Sequence, residues 1–143
     1  MEVEPATPDP AAQHAVRRLL LPRETRMVSK GDFERAWKQG SRARGDVLLV
    51  IASPNSAGCA RLGLSIGKKV WKDAVGRNRV RRVFREAFRM TRQDLPAGFD
   101  YILVAAAPKL KPTLGPTSRE LARLGPKAVA RFEKKRDETP GPQ

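Results

Sequence analysis

The sequence has 143 residues, enough for one compact domain with tails. Lysine and arginine number 29 against 15 aspartates and glutamates, a formal net charge of +14. That excess makes a polyanion the expected partner, nucleic acid first and an anionic membrane surface second. One histidine, His14, and one cysteine, Cys59, come close to excluding a protein-borne catalytic triad or zinc cluster, and no intrachain disulfide can form. No apolar run approaches the ~20 residues of a membrane-spanning helix. The opening MEVEPATPDP carries acids and prolines where a signal peptide would carry a basic and then an apolar region. A cytoplasmic protein is the expectation, and a lone cysteine fits a reducing compartment.

Residues 1–18, rich in Pro and Ala, are expected to be a disordered tail. The charged end EKKRDETPGPQ should fray, with a flexible tail over 136–143. One domain is expected over 19–135. In it, SKGDFERAWKQG reads as a first helix, capped by Ser29 with Asp32 three residues on and ended by Gly40. Phe33, Ala36 and Trp37 share one side of it. DVLLVIAS is a continuous apolar run and predicts a strand. After the turn-forming loop SPNSAGCA, RLGLSIG alternates: Leu62, Leu64 and Ile66 face one way, and Gly63, Ser65 and Gly67 the other. An antiparallel hairpin of these two strands is expected. A long helix follows over roughly 75–92, then the strand FDYILVAAAP. The last helix lies in TSRELARLGPKAVARFEKKR, capped by Ser118 or Thr117 and broken or kinked at Gly125-Pro126. The order α-β-β-α-β-α predicts an α/β sandwich of helices on a sheet.

The long helix contains GRNRVRRVFREAFR, with six arginines and one glutamate. At 100° per residue, Val80, Val83, Phe84 and Ala87 form an apolar face. Asn78, Arg82, Arg85 and Arg89 lie opposite, with Arg77 and Arg81 on a flank. An ordinary solvated helix mixes charges for i, i+4 pairing, but here only Glu86 is negative. Arginine also grips phosphate with a planar fork that lysine lacks. Lys68 and Lys69 add charge just before the helix, after a strand face bare enough for a backbone or base to lie close. That face could equally be ordinary solvent-facing strand. Phe33 and Trp37 form a helical aromatic pair, a pattern more often found in a core. Beside basic groups such rings can also stack unpaired bases. The carboxylates are scattered, with no phosphate-binding loop, dinucleotide fingerprint or close metal-binding repeat.

In order and spacing, these features resemble the bacterial ribonuclease P protein subunit. PRETRMVSKGDFERAWKQG is similar to that family's basic opening and first helix with two aromatics. RLGLSIGKK is similar to its Gly-Leu-Ser strand and lysine pair, RNRVRRVFREAFR to its Arg-Asn-Arg helix, and FDYILVAA to its later strand. The resemblance runs from about Leu20 to Lys135.

The resemblance implies a sandwich with a left-handed βαβ crossover and a role in removing the 5′ leader from precursor tRNA. It implies that the RNA subunit performs the hydrolysis with Mg2+, and that the protein holds no cofactor and needs no protein oligomer. The implied partners are ribonuclease P RNA and precursor tRNA. Arg77, Asn78, Arg79, Arg81, Arg82, Arg85 and Arg89, with Lys68 and Lys69, would face RNA. Phe33, Trp37, Gly63 and Ser65 would line a cleft for the single-stranded leader. Where the family often has a cleft-facing aromatic on its first strand, this sequence has Ile51. Two other readings share the charge. A non-catalytic RNA-binding module, such as a ribosome-associated protein, is one. A membrane-surface protein is the other, but Val80, Val83 and Ala87 suit a protein core better than an interface.

Overall fold

The computed structural model describes residues 25–27 and 29–138. The tail expected over 1–18 lies outside them. Of the tail expected over 136–143, residues 136–138 continue the last helix and the rest lies outside.

Ser29 Oγ accepts the Asp32 N–H at 3.3 Å and starts helix α1 (Lys30–Gln39), and Gly40 closes it by donating to the Ala36 carbonyl. A short strand β1 (Ser41–Arg44), absent from the predicted order, follows directly. Only Ala43 of it is buried, so its apolar signal is a single methyl group. Next come β2 (Leu48–Pro54), β3 (Arg61–Ser65), α2 (Ala74–Thr91), a 3-10 turn (Arg92–Asp94), β4 (Phe99–Ala105) and α3 (Leu114–Glu138).

The four strands form one sheet in the order β1-β2-β4-β3. The expected β2–β3 hairpin does not form. β4 lies between them, antiparallel to β2 and parallel to β3. The reason is burial. FDYILVA is apolar on both faces and takes a central place, while β3, with Gly63 and Ser65, goes to the edge. Helix α2 is the crossover that makes β3 and β4 parallel.

One sheet face carries the main core. Leu48 and Val50 of β2, Leu62 of β3, and Tyr101 and Leu103 of β4 pack on Val80, Phe84 and Phe88 of α2 and on Leu121, Leu124 and Ala128 of α3. Fully burying one such side chain contributes about 1.5–3 kcal/mol. Tyr101 is fully buried but donates its hydroxyl to the Pro96 carbonyl at 2.6 Å, and burial pushes its pKa upward. The opposite face carries a smaller cluster, with Ala36 of α1 on Ile51 and Ile102 and with Met27, Phe33 and Val104 around them.

Helix α3 departs from expectation at both marked places. It begins at Leu114, so neither Thr117 nor Ser118 caps it, and the Thr117 N–H donates to the Thr113 carbonyl. It also runs through Gly125-Pro126 without a break. A proline inside a helix costs about 3 kcal/mol. Burial of Leu121, Leu124, Ala128 and Val129 on both sides of it offsets that cost. Glu120 then fixes the helix to the sheet. Its carboxylate accepts the N–H groups of Asp46, Val47 and Leu48 at 2.9, 2.7 and 2.6 Å.

Candidate nucleic-acid interface

The basic helix α2 divides its arginines by role. Arg79, Arg82 and Arg85 are exposed and make no hydrogen bond or ion pair among the described residues. They form an open cationic face. The flanking pair is engaged inside the protein. Arg77 donates from Nη1 to the carbonyls of Trp71 and Lys72 at 2.9 and 2.7 Å. Arg81 donates to Asn78 Oδ1 at 2.9 Å and to the Ile66 carbonyl at 3.2 Å. Arg89 pairs with Glu86. Thus Arg77 and Arg81 hold the approach to the helix against its first turns. Gly76 permits this closeness, because a Cβ there would fall within 2.6–2.9 Å of the Trp71 side chain.

Lys68 and Lys69 stand on the exposed turn between β3 and α2. They line a groove of about 800 Å³ with Trp71, Lys72, Asp73 and Lys109. The groove's walls are tied together. The Lys109 N–H donates to the Val70 carbonyl at 2.6 Å, and the Trp71 indole to the Leu110 carbonyl at 2.7 Å. Lys109 has φ 55°, a left-handed conformation that ordinary residues seldom adopt. Lys72, three residues past Lys69, and Lys109, which only tertiary packing brings here, are cations that the sequence reading did not single out.

A second concavity, about 420 Å³, lies on the α1 side of the sheet. Phe33, Trp37, Ser65, Lys30, Glu34 and Lys38 line it. The two rings stack with centroids 6.1 Å apart and planes 15° from parallel. Trp37 is 36% exposed, whereas Phe33 is half-buried against the smaller cluster, so the pair spans the edge of that cluster and the open cleft. The Arg42 guanidinium lies 5.3 Å from the Trp37 ring centroid and donates to the Trp37 carbonyl at 2.9 Å.

Gly63 is not open floor. It is buried, and a Cβ there would meet Met27 Sδ at 2.8 Å and Phe33 Cδ2 at 3.4 Å. The bare strand face therefore seats Phe33 and Met27, and Ser65 is the β3 residue that faces the open cleft. Ile51 is fully buried beneath α1 and contributes to that seat.

Helix α1 is placed by an ion-pair network. Arg61 donates from Nε and Nη2 to the two oxygens of Asp100, at 2.6 and 2.8 Å, and from Nη2 to Asp32 of α1 at 3.3 Å. Asn55 adds a bond to Asp100 at 2.8 Å. Hydrogen bonding to Asp100 raises the Arg61 pKa above its ordinary value, against the opposing effect of burial. Among the described residues, no three His, Cys, Asp or Glu side chains gather as metal ligands. No helix among them is long and apolar enough to cross a membrane.

The family model for ribonuclease P matches residues 21–129. The chain belongs to the bacterial ribonuclease P protein family. The ribonuclease P protein component of Photobacterium profundum is 37% identical over 90 residues, covering 63% of this chain and 75% of that protein. The component of Escherichia coli O139:H28 is 36% identical over 88 residues, covering 62% and 73%. In fold, the chain is similar to a Staphylococcus aureus RNase P protein mutant, with a TM-score of 0.62 and 23% identity over 87% of this chain and 98% of that one. The Thermotoga maritima RNase P protein gives a TM-score of 0.52 and 24% identity over 77% and 92%. Membership makes the chain an RNA-binding, tRNA-processing subunit and leaves the ribosome-associated alternative without support.

The two kinds of arginine on α2 should separate by stability. Arg77→Ala removes two bonds to backbone carbonyls and should cost about 1–3 kcal/mol. Arg82→Ala should stay within about 0.5 kcal/mol of the parent, as exposed substitutions do. Urea denaturation of the two variants beside the parent measures the difference.

Proposed function

We propose that this chain assists a catalytic RNA subunit in removing the 5′ leader of precursor tRNA, and that the RNA, with its Mg2+, performs the phosphodiester hydrolysis. The observation that carries this reading is the pairing of an open arginine face on α2 with an aromatic cleft on the other side of the sheet. The arginines Arg79, Arg82 and Arg85, with Lys68 and Lys69, bind phosphates of the RNA subunit. Arg77, Asn78 and Arg81 take part by shaping that surface, and Arg89 extends it. Phe33 and Trp37 stack unpaired leader bases, and Ser65 borders them.

Four of the protein's acids are taken up by the fold, which supports this division of labour. Asp32 and Asp100 are occupied by Arg61, Glu120 by backbone N–H groups and Glu86 by Arg89. These carboxylates serve the fold, so the proposal gives the protein binding and gives the RNA bond cleavage.

Precursor tRNA should remain intact with the protein alone and be cleaved at low magnesium when a bacterial ribonuclease P RNA is added. Mature 5′ ends produced by RNA-free protein, purified clear of other nucleases, would contradict the proposal. In the reconstituted complex, Phe33→Ala should weaken precursor binding by roughly 1–3 kcal/mol, the worth of one stacked base. Mature tRNA, which lacks the leader, should bind as before. Equal losses for both RNAs would remove the cleft from the account.

A further inference from the structure

The surfaces described so far leave one concentration of charge unassigned. On α3, Arg119, Arg123, Lys127, Arg131 and Lys135 recur every fourth residue, and all five are exposed. The spacing sets them on one ridge that winds round the exposed part of the helix, each step rising about 6 Å and turning about 40°, about 24 Å in all. Like charges at i, i+4 destabilise a helix. Among the described residues the stripe's one ion pair is Arg123 with Glu120, a loose 3.9 Å, and the Glu120 carboxylate is already engaged by three backbone N–H groups. Apart from Arg131, which bonds to strand β1, the row makes no close contact that the fold needs, and a polyanion would relieve its repulsion.

Position narrows the occupant. Arg131 donates from Nη1 to the carbonyl of Arg42, on edge strand β1, at 2.7 Å. Arg42 in turn lies over the Trp37 ring and donates to the Trp37 carbonyl. A line of guanidinium groups therefore leads from the mouth of the aromatic cleft, over the β1 edge, onto α3. Lys68 and Lys69 follow β3, at the opposite edge of the sheet. The line turns from one face of the sheet to the other. An unpaired strand can follow such a turn, whereas a duplex is stiff over this length.

We infer that the α3 stripe is a second RNA-backbone track, and that its occupant is the single-stranded leader beyond the nucleotides held at Phe33 and Trp37. The inference rests on the cleft reading above. Contacts by arginine and lysine to phosphate carry no base preference, so the track recognises leader length rather than sequence.

The test uses the holoenzyme reconstituted with a bacterial ribonuclease P RNA and the paired change Arg123→Gln with Lys127→Gln. Both side chains are exposed, so folding should be unaffected. Affinity is measured for mature tRNA, for a precursor with a leader just filling the cleft, and for one with a long leader. The parent should bind the long leader several-fold more tightly than the short one, and the variant should lose that gain. For the long leader, the slope of log affinity against log salt should become shallower by roughly 1.4, two phosphate contacts at about 0.7 each for single strands. Binding of mature tRNA, of the short-leader precursor and of the RNA subunit should not change. A parent that gains nothing from leader length, or a variant that keeps the gain, would overturn the inference. So would a variant whose loss falls on the RNA subunit or on all substrates alike. A parent that does not prefer the short-leader precursor over mature tRNA would instead overturn the cleft reading, and the track with it.

Discussion

The contact on which the functional geometry depends is the pairing of Asp100 with Arg61. Asp100 lies in the central strand β4 and is 1% exposed. An isolated carboxylate there would be costly, and removing one partner of a buried pair typically costs about 3–5 kcal/mol. Arg61 meets both of its oxygens from the neighbouring strand β3 and still has a donor left for Asp32. That spare bond fixes the first turn of α1 over the sheet. Arg35 holds the same Asp32 carboxylate from the other side at 2.7 Å. The position of α1 sets the position of Phe33 and Trp37, so a buried charge in the sheet controls a partly exposed aromatic pair.

The end of β3 joins the two surfaces. Gly63 seats Phe33, Ser65 borders the cleft, and the Ile66 carbonyl accepts Arg81 from α2. Lys68 and Lys69 follow at once. Seven residues of chain thus pass from the aromatic face to the arginine face. This short connection gives a physical reason for the run Gly-Leu-Ser-Ile-Gly-Lys-Lys: small groups where α1 presses down, apolar groups toward the core, and cations where the chain emerges.

Much of this was legible in the sequence, for identifiable reasons. Helix α1 carries its cap and stop as local signals in Ser29 and Gly40, and α2 has a strong 3.6-residue period. That period placed Arg82 and Arg85 on the open face; it also placed Arg89 there, which is half-buried and pairs with Glu86, and it did not single out Arg79. Strand neighbours did not, because β2 and β3 each read correctly as strands while the burial of β4 between them is a property of the whole sheet. Gly125-Pro126 carries a local stop signal that the packing of α3 overrides. The period also set Arg77 and Arg81 on a flank, but it did not show the carbonyls they reach. Asp100 counted only as one of the scattered carboxylates, because its partner Arg61 lies 39 residues away.

The central claim is that the leader cleft depends on the tether of α1 and is separable from the arginine face. Asp32→Asn tests it most directly, since it weakens the link from Arg61 to α1 and leaves the Arg61–Asp100 pair in place. The measurement is the ratio of precursor to mature tRNA affinity in the reconstituted complex, taken beside the affinity of the protein for the RNA subunit. The account predicts a lower ratio with unchanged affinity for the RNA subunit. An unchanged ratio, or a loss of RNA-subunit affinity in step with it, would contradict the account.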